Sequence, residues 1–217
     1  VPERYYDWML WKLRQENTLE RSRMKTMTRE EVWKKTVADM QTEIHELQKL
    51  EEGTGPVRRK LVEQLGEDGW IAMGWPEEYG GQGKSAIEQF IFYDETMRVG
   101  SPAPMLTINT VGPTIMEYGT DEQKDSFLPE IAAGKLHFCI GYSEPDAGTD
   151  LASLATKAVR DGDEYVINGQ KTWTSLALGC DYIWLAARTN PDVPKHKGIS
   201  LFAIPIDTPG ITIEPLS

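Results

Sequence analysis

Two short stretches concentrate groups able to do chemistry. The first, SEPDAGTD at residues 143–150, sets Ser143, Glu144, Thr149 and Asp150 around Pro145 and Gly148. Ser143, Thr149 and the loop's backbone N–H groups can donate hydrogen bonds to the polar edge of a ligand. Gly148 allows a backbone conformation or a close approach that a Cβ would obstruct. Glu144 and Asp150 can equally serve the loop itself by accepting from nearby N–H groups, so on its own the stretch fits a capped turn as well as a site. The second, GQKTWTS at residues 169–175, follows Asn168 and reads as a strand with Trp173 and Ser175 on one face and Thr174 on the other. An aromatic plane beside a hydroxyl donor suits a flat, redox-active ring, which packs on the indole while its edge meets the donor. A single strand tryptophan is ordinarily core, and only the combination points to a site.

Other constellations carry less. GGQGKS at residues 80–85 ends like a phosphate-binding loop, but Glu78 stands where that pattern requires glycine. No apolar strand precedes it, so a glycine-rich connection with a solvated Lys84 is expected. His45, His137 and His196 are far apart and have no metal-ligand spacing, and no metal is expected. Cys139 and Cys180 sit in apolar contexts without CxxC spacing and read as buried, reduced thiols.

The elements around the two stretches follow from a change of period. Thr28 and Glu31 make a capping-box pattern ahead of Trp33, Val37, Met40, Ile44 and Leu47, spaced as one face of a helix ending near Gly53. A helix is also expected before it, from Tyr5 to about Arg23. Pro56 opens another, with Val57, Leu61 and Leu65 on its stripe up to Gly66. Further helices are predicted with Ile87, Phe90, Ile91 and Met97 as a buried face, over residues 106–118, and after a Thr120/Gln123 capping box until Gly134. Beyond Gly134 come YVINGQKTWT, DYIWLAAR, GISLFAIPI and GITIEPL, short β-branched and aromatic runs with Asp161-Gly162 and Asn168-Gly169 as hairpin signals. The fold class is therefore α+β: an all-α helical bundle over residues 1–135, then an antiparallel β domain over 136–217, with no Rossmann-type alternation.

The net charge of −11 opposes binding to nucleic acid or an anionic membrane. No apolar run reaches the ~20 residues of a membrane helix. Residues 1–4 do not form a signal peptide, and a soluble, cytoplasmic protein is expected.

GYSEPDAGTD resembles the signature of the acyl-CoA dehydrogenase family, and NGQKTWTS resembles that family's second flavin-contacting segment. GWPEEYGGQG and YGTDEQKDSFLPEIAAGK are similar to two further family stretches, in the same order along nearly the whole chain. The resemblance implies a helical domain followed by a β domain, and FAD as cofactor. It implies that the Tyr142 backbone, Ser143, Gly148 and Thr149 line the cofactor in the first segment, with Tyr142 and Ser143 at the flavin's pyrimidine edge. Trp173, Thr174 and Ser175 belong to the second segment, with Trp173 beside the ring and Ser175 bonding near N5. Thr149 would lie where the pantetheine of acyl-CoA or a cofactor phosphate passes. Ser175 stands where the family often has threonine, which keeps the hydroxyl.

The implied reaction is α,β-dehydrogenation of an acyl-CoA thioester, with electron-transfer flavoprotein as acceptor and a homo- or hetero-oligomeric assembly. The family's catalytic glutamate comes from a C-terminal helical domain. No catalytic residue is assigned here, since Glu77, Glu78 and Glu144 do not match that position. The sequence stops at Ser217 in strand-like sequence, so a fragment, or a subunit completed by another chain, is expected. WTSLA and ARTNPDVPKHKGIS are similar to actinobacterial members that act on bulky, steroid-type thioesters as two-subunit assemblies. A non-catalytic partner subunit and an acyl-CoA oxidase are the alternatives.

Overall fold

The computed structural model describes residues 55–98 and 104–215. The helices expected at 5–23 and 28–53 lie outside the described residues. Helices come first and a five-stranded sheet follows. Helix α1 (Pro56–Glu67) starts on its proline, whose missing N–H costs nothing at a first helical position, and buries Val62 and Leu65. Helix α2 is Ala86–Arg98. A π-helical turn, Thr107–Val111, runs directly into α3 (Gly112–Tyr118). Helix α4 (Asp121–Ala132) opens with the expected capping box: Thr120 Oγ1 accepts from Gln123 N–H, and Gln123 Oε1 accepts from Thr120 N–H.

Helices α1 and α4 touch where neither can carry a side chain. A Cβ on Gly66 would fall 2.3 Å from the Ala133 carbonyl carbon, and one on Gly134 2.3 Å from the Val62 carbonyl oxygen. Gly134 also has φ +72°, which glycine adopts without the Cβ penalty. The glycine that stops α4 thus also sets how closely the helices pack.

The predicted burial on α2 is corrected. Ile87, Phe90, Ile91 and Met97 are all exposed, Ile87 by 73%. The helix turns another face inward, with Phe92 stacked on Trp70 at 5.8 Å and Tyr93 edge-on to Phe92. Residues 80–85 form the expected connection, in which Gln82 and Lys84 N–H groups both donate to Met73 C=O. Ser85 and Glu88 make a reciprocal cap at the start of α2.

The sheet comprises β1 (Phe138–Gly141), β2 (Lys157–Asp161), β3 (Glu164–Asn168), β4 (Tyr182–Arg188) and β5 (Ile199–Pro205). β2 and β3 form the hairpin expected at Asp161-Gly162, with Gly162 at φ +62°, and β4 and β5 also pair antiparallel. β1 and β2, however, both pair parallel with β4, so the sheet is mixed rather than antiparallel. β1 covers β4 from Tyr182 to Leu185 and β2 meets it at Arg188. Between those two pairings the chain leaves the sheet as the excursion 142–156. GITIEPL does not form a strand over residues 211–215.

Helices and sheet share one core. Val62, Ile71, Trp75, Ile108, Val111, Leu128 and Ile131 pack with Phe138 and Trp184 of the sheet. Phe138 is ringed by Phe127, Tyr182 and Trp184, with centroids 5.4–6.1 Å away. Thr107 in the π-helical turn accepts the Phe138 N–H at 3.0 Å, locking that turn to the start of β1. Cys139 and Cys180 are buried and unbridged. No helix among the described residues is long and apolar enough to cross a membrane.

Candidate functional site

The excursion 142–156 begins with a tight turn in which Glu144 N–H donates to Ala147 C=O and Ala147 N–H to Glu144 C=O. The second stretch leaves β3 and runs back beside this turn, where Thr172 N–H donates to Ser143 C=O at 2.9 Å. The structure therefore brings Tyr142 and Ser143 together with the segment carrying Trp173, Thr174 and Ser175. Gly148 and Thr149 lie exposed farther along the excursion and share no hydrogen bond with the second stretch. There Asp150 accepts from Ser153 and from Lys195 Nζ, the latter at 2.6 Å.

The strand predicted for residues 169–175 is corrected. β3 ends at Asn168, and the rest is irregular. Trp173 and Leu176 have φ of +58° and +67°. Left-handed backbone at a bulky residue costs of order 1–3 kcal/mol and concentrates at functional positions. Ser175 N–H closes a short turn onto Trp173 C=O at 2.9 Å. This geometry swings the indole out of the protein, and Trp173 is 74% exposed. Asn168-Gly169 makes no hairpin turn. Gly169 instead lies against Thr156, where a Cβ would fall 2.6 Å from the Thr156 Cα.

Beneath these loops lies a buried ion pair. Glu144 accepts from Ala155 N–H (2.6 Å), Thr156 N–H (2.9 Å) and Lys171 Nζ (2.8 Å), and Lys171 Nζ also donates to Tyr142 C=O at 3.0 Å. The two side chains are 7% and 8% exposed. Burial pushes the Glu144 carboxyl up, but hydrogen bonds from Lys171, Thr156 and Ala155 outweigh it and hold the group down at about 2. Burial lowers the Lys171 ammonium, opposed by the Glu144 carboxylate. Glu144 thus does what its position in a capped turn suggested. Lys171 was missed, although a lone cation in a hydroxyl- and aromatic-rich stretch facing an acidic loop is the available signal.

Several polar groups of the two stretches are unused by the chain. The hydroxyls of Ser143, Thr149, Thr174 and Ser175 make no hydrogen bond among the described residues, nor does the Ser143 N–H. Nothing lies within 4 Å of a Cβ built on Gly148. Of these polar groups, Ser143 lies on the turn joined through Thr172 to the segment of the outward Trp173, a donor and an aromatic plane of the kind that suits a flat, polar-edged ring system. Among the described residues no group of three or more His, Cys, Asp or Glu could hold a metal ion.

The sequence matches the family profiles described as acyl-CoA dehydrogenase, N-terminal domain, over residues 22–135, and acyl-CoA dehydrogenase, middle domain, over residues 139–217. The chain belongs to the acyl-CoA dehydrogenase family. It is 61% identical over 169 residues to acyl-CoA dehydrogenase FadE26 of Mycobacterium tuberculosis, covering 76% of this chain and 42% of that protein. FadE29 of the same organism is 52% identical over 162 residues, covering 75% and 42% respectively. The fold superposes on the Tcur3481-Tcur3483 steroid ACAD with a TM-score of 0.73 at 50% identity, covering 84% of this chain and 50% of that one. It superposes on the ChsE4-ChsE5 complex from M. tuberculosis with a TM-score of 0.69 at 54% identity, covering 84% and 48%. The chain spans about half the length of the relatives it matches.

Proposed function

We propose that the chain, with a helical domain over residues 1–135 and a β domain over 136–217, is part of an FAD-dependent acyl-CoA dehydrogenase. The cofactor would lie across the joined segments 142–149 and 171–175. The observation that carries this reading is Trp173, held outward on left-handed backbone beside a Ser143 whose N–H and hydroxyl are both available. An exposed tryptophan of this kind forfeits burial worth about 2 kcal/mol unless a ligand covers it.

In this reading Ser143 and the Tyr142 backbone meet the pyrimidine edge of the ring. Trp173 packs on its face, and Ser175 reaches the edge near N5, with Thr174 alongside. Thr149 contacts the pantetheine of the substrate or a cofactor phosphate, and Gly148 leaves room for it. When bound, FAD would supply the hydride acceptor in the α,β-dehydrogenation of an acyl-CoA. Ser143 and Ser175 would stand as donors at the ring edge, where fixed donors stabilise negative charge. Glu144 is committed to three donors, and Glu77 and Glu78 sit exposed in the turn 77–79. None of the three is assigned as the base that takes the α-proton.

One neighbour is described as a steroid ACAD and another as a two-component complex, which supports a hetero-oligomeric assembly acting on a bulky, steroid-type thioester. A cytoplasmic location and electron-transfer flavoprotein as acceptor complete the proposal. A two-component neighbour also leaves room for a second reading, in which this chain is a non-catalytic partner subunit that holds flavin weakly or not at all. The visible spectrum of the full assembly separates the two, because a colourless sample at full subunit occupancy rejects flavin binding. Anaerobic bleaching by acyl-CoA tests the dehydrogenation, and rapid recolouring in air would instead mark an oxidase.

A further inference from the structure

We propose that Lys171 is a positioning residue that orients and polarises the peptide group joining Tyr142 to Ser143, making the Ser143 N–H a fixed donor to the electron-rich edge of the bound flavin. This rests on the flavin reading above. A peptide group is planar and trans, so a bond to its carbonyl sets the direction of the N–H on the other side. Lys171 Nζ holds the Tyr142 C=O at 3.0 Å, and the N–H of the same peptide group has no partner among the described residues. The next peptide group is also held: Thr172 N–H bonds Ser143 C=O at 2.9 Å, and Glu144 N–H bonds Ala147 C=O at 2.9 Å. Ser143 is therefore pinned on both flanks by consecutive residues that immediately precede Trp173. One stretch of chain sets both the donor and the aromatic face.

The ion pair makes this placement rigid. Glu144 joins Lys171 to the Ala155 and Thr156 N–H groups, so three separate pieces of chain meet at a single carboxylate. Away from solvent, a charged donor on a carbonyl strengthens the hydrogen bond made by the N–H of the same group. The carboxylate offsets the ammonium charge, so the local effect is a directed dipole rather than a bare cation.

The test uses the full chain in its native assembly, comparing wild type, Lys171→Met and Lys171→Arg. Lys171→Met is expected to bind FAD roughly tenfold or more weakly, since removing one partner strands a buried charge. Its flavin midpoint potential should shift negative because the reduced ring loses a donor, and the visible circular dichroism of the flavin should weaken. Lys171→Arg should recover part of each. In flavin-stripped protein, Lys171→Met should speed amide exchange across 142–147 and 169–176. A lower melting temperature with unchanged potential, dichroism and affinity assigns Lys171 to folding alone and overturns the proposal. If Lys171→Met does not fold, Lys171→Gln, which keeps one donor but no charge, must show the same shifts at smaller size. Wild-type assembly that takes up no FAD refutes the flavin reading instead, and the exchange comparison then decides the clamp by itself.

Discussion

Arg59 in α1 and Asp181 at the start of β4 are 122 residues apart in sequence, yet their guanidinium and carboxylate meet at 2.6 Å. The other carboxylate oxygen accepts the His137 N–H at 2.8 Å, and the same guanidinium nitrogen reaches Gly179 C=O at 3.1 Å. Asp181 thus ties α1 to the lead-in to β1, and Arg59 adds the turn at Gly179. Asp181→Ala should cost about 1–3 kcal/mol and Arg59→Ala about 1 kcal/mol, since losing the aspartate strands the N–H of buried His137 whereas losing the arginine leaves that bond intact and the pair is partly solvated. Chemical denaturation of both variants checks the order. Equal small losses would show that the tie contributes little.

Trp173→Ala should leave the melting transition within about 0.5 kcal/mol of wild type, because the indole is mostly exposed. The same variant should lose flavin during gel filtration, read as the ratio of visible to 280 nm absorbance. Full flavin retention would remove the indole from the proposed site.

Acid should weaken the protein in two steps. Burial pushes the His137 imidazole down to about 4, helped by the Arg59 and Arg58 charges and opposed by Asp181 and the Gly134 backbone. Its Nε2 is buried without a hydrogen-bond partner among the described residues. Below about pH 6.5 the unfolded chain takes up a proton that the folded one refuses, so up to about 3 kcal/mol is lost between pH ~6.5 and ~4. Glu144 acts lower. Its carboxyl is held at about 2, so its contribution is complete above ~4.3 and fades as pH falls from there to about 2. Denaturation midpoints of wild type and His137→Gln against pH should differ in slope only in the upper window. Parallel curves there would contradict the assignment.

Two glycines of the site should respond oppositely. Gly169→Ala forces a Cβ into the Thr156 backbone and should cost about 1–3 kcal/mol by overpacking, with Thr156 pushed off Glu144. Gly148→Ala meets nothing in the chain and should melt like wild type. If a cofactor or thioester passes at Gly148, that variant should still bind it more weakly, which fluorescence titration would read.

The helix-to-strand switch near residue 135, the Thr120/Gln123 cap and the Asp161-Gly162 hairpin were legible because each depends on neighbours in sequence. The parallel pairing of β1 and β2 with β4 was not, since strands joined by long excursions leave no turn signal. Asn168-Gly169 misled for a tertiary reason: this glycine is needed for close approach to Thr156 rather than for positive φ. The strand pattern at 169–175 likewise yields to the left-handed Trp173. On α2, periodicity marked an apolar face correctly, but it cannot say which faces a fold turns inward. Of the proposed site, Ser143 and Trp173 stand out in the sequence as a donor and an aromatic plane, whereas Lys171 reaches 29 residues back to the Tyr142 carbonyl, a contact that no local pattern announces.

The excursion 142–156 leaves β4's edge opposite Leu185 and rejoins it opposite Arg188. Both feet stand on one strand whose register is set independently by β5. A detour anchored in this way can change length at its exposed middle, near Asp146 and Gly148, without rerouting the sheet, because closure cost rises only slowly with length. The strands beneath can therefore stay fixed while this exposed segment varies.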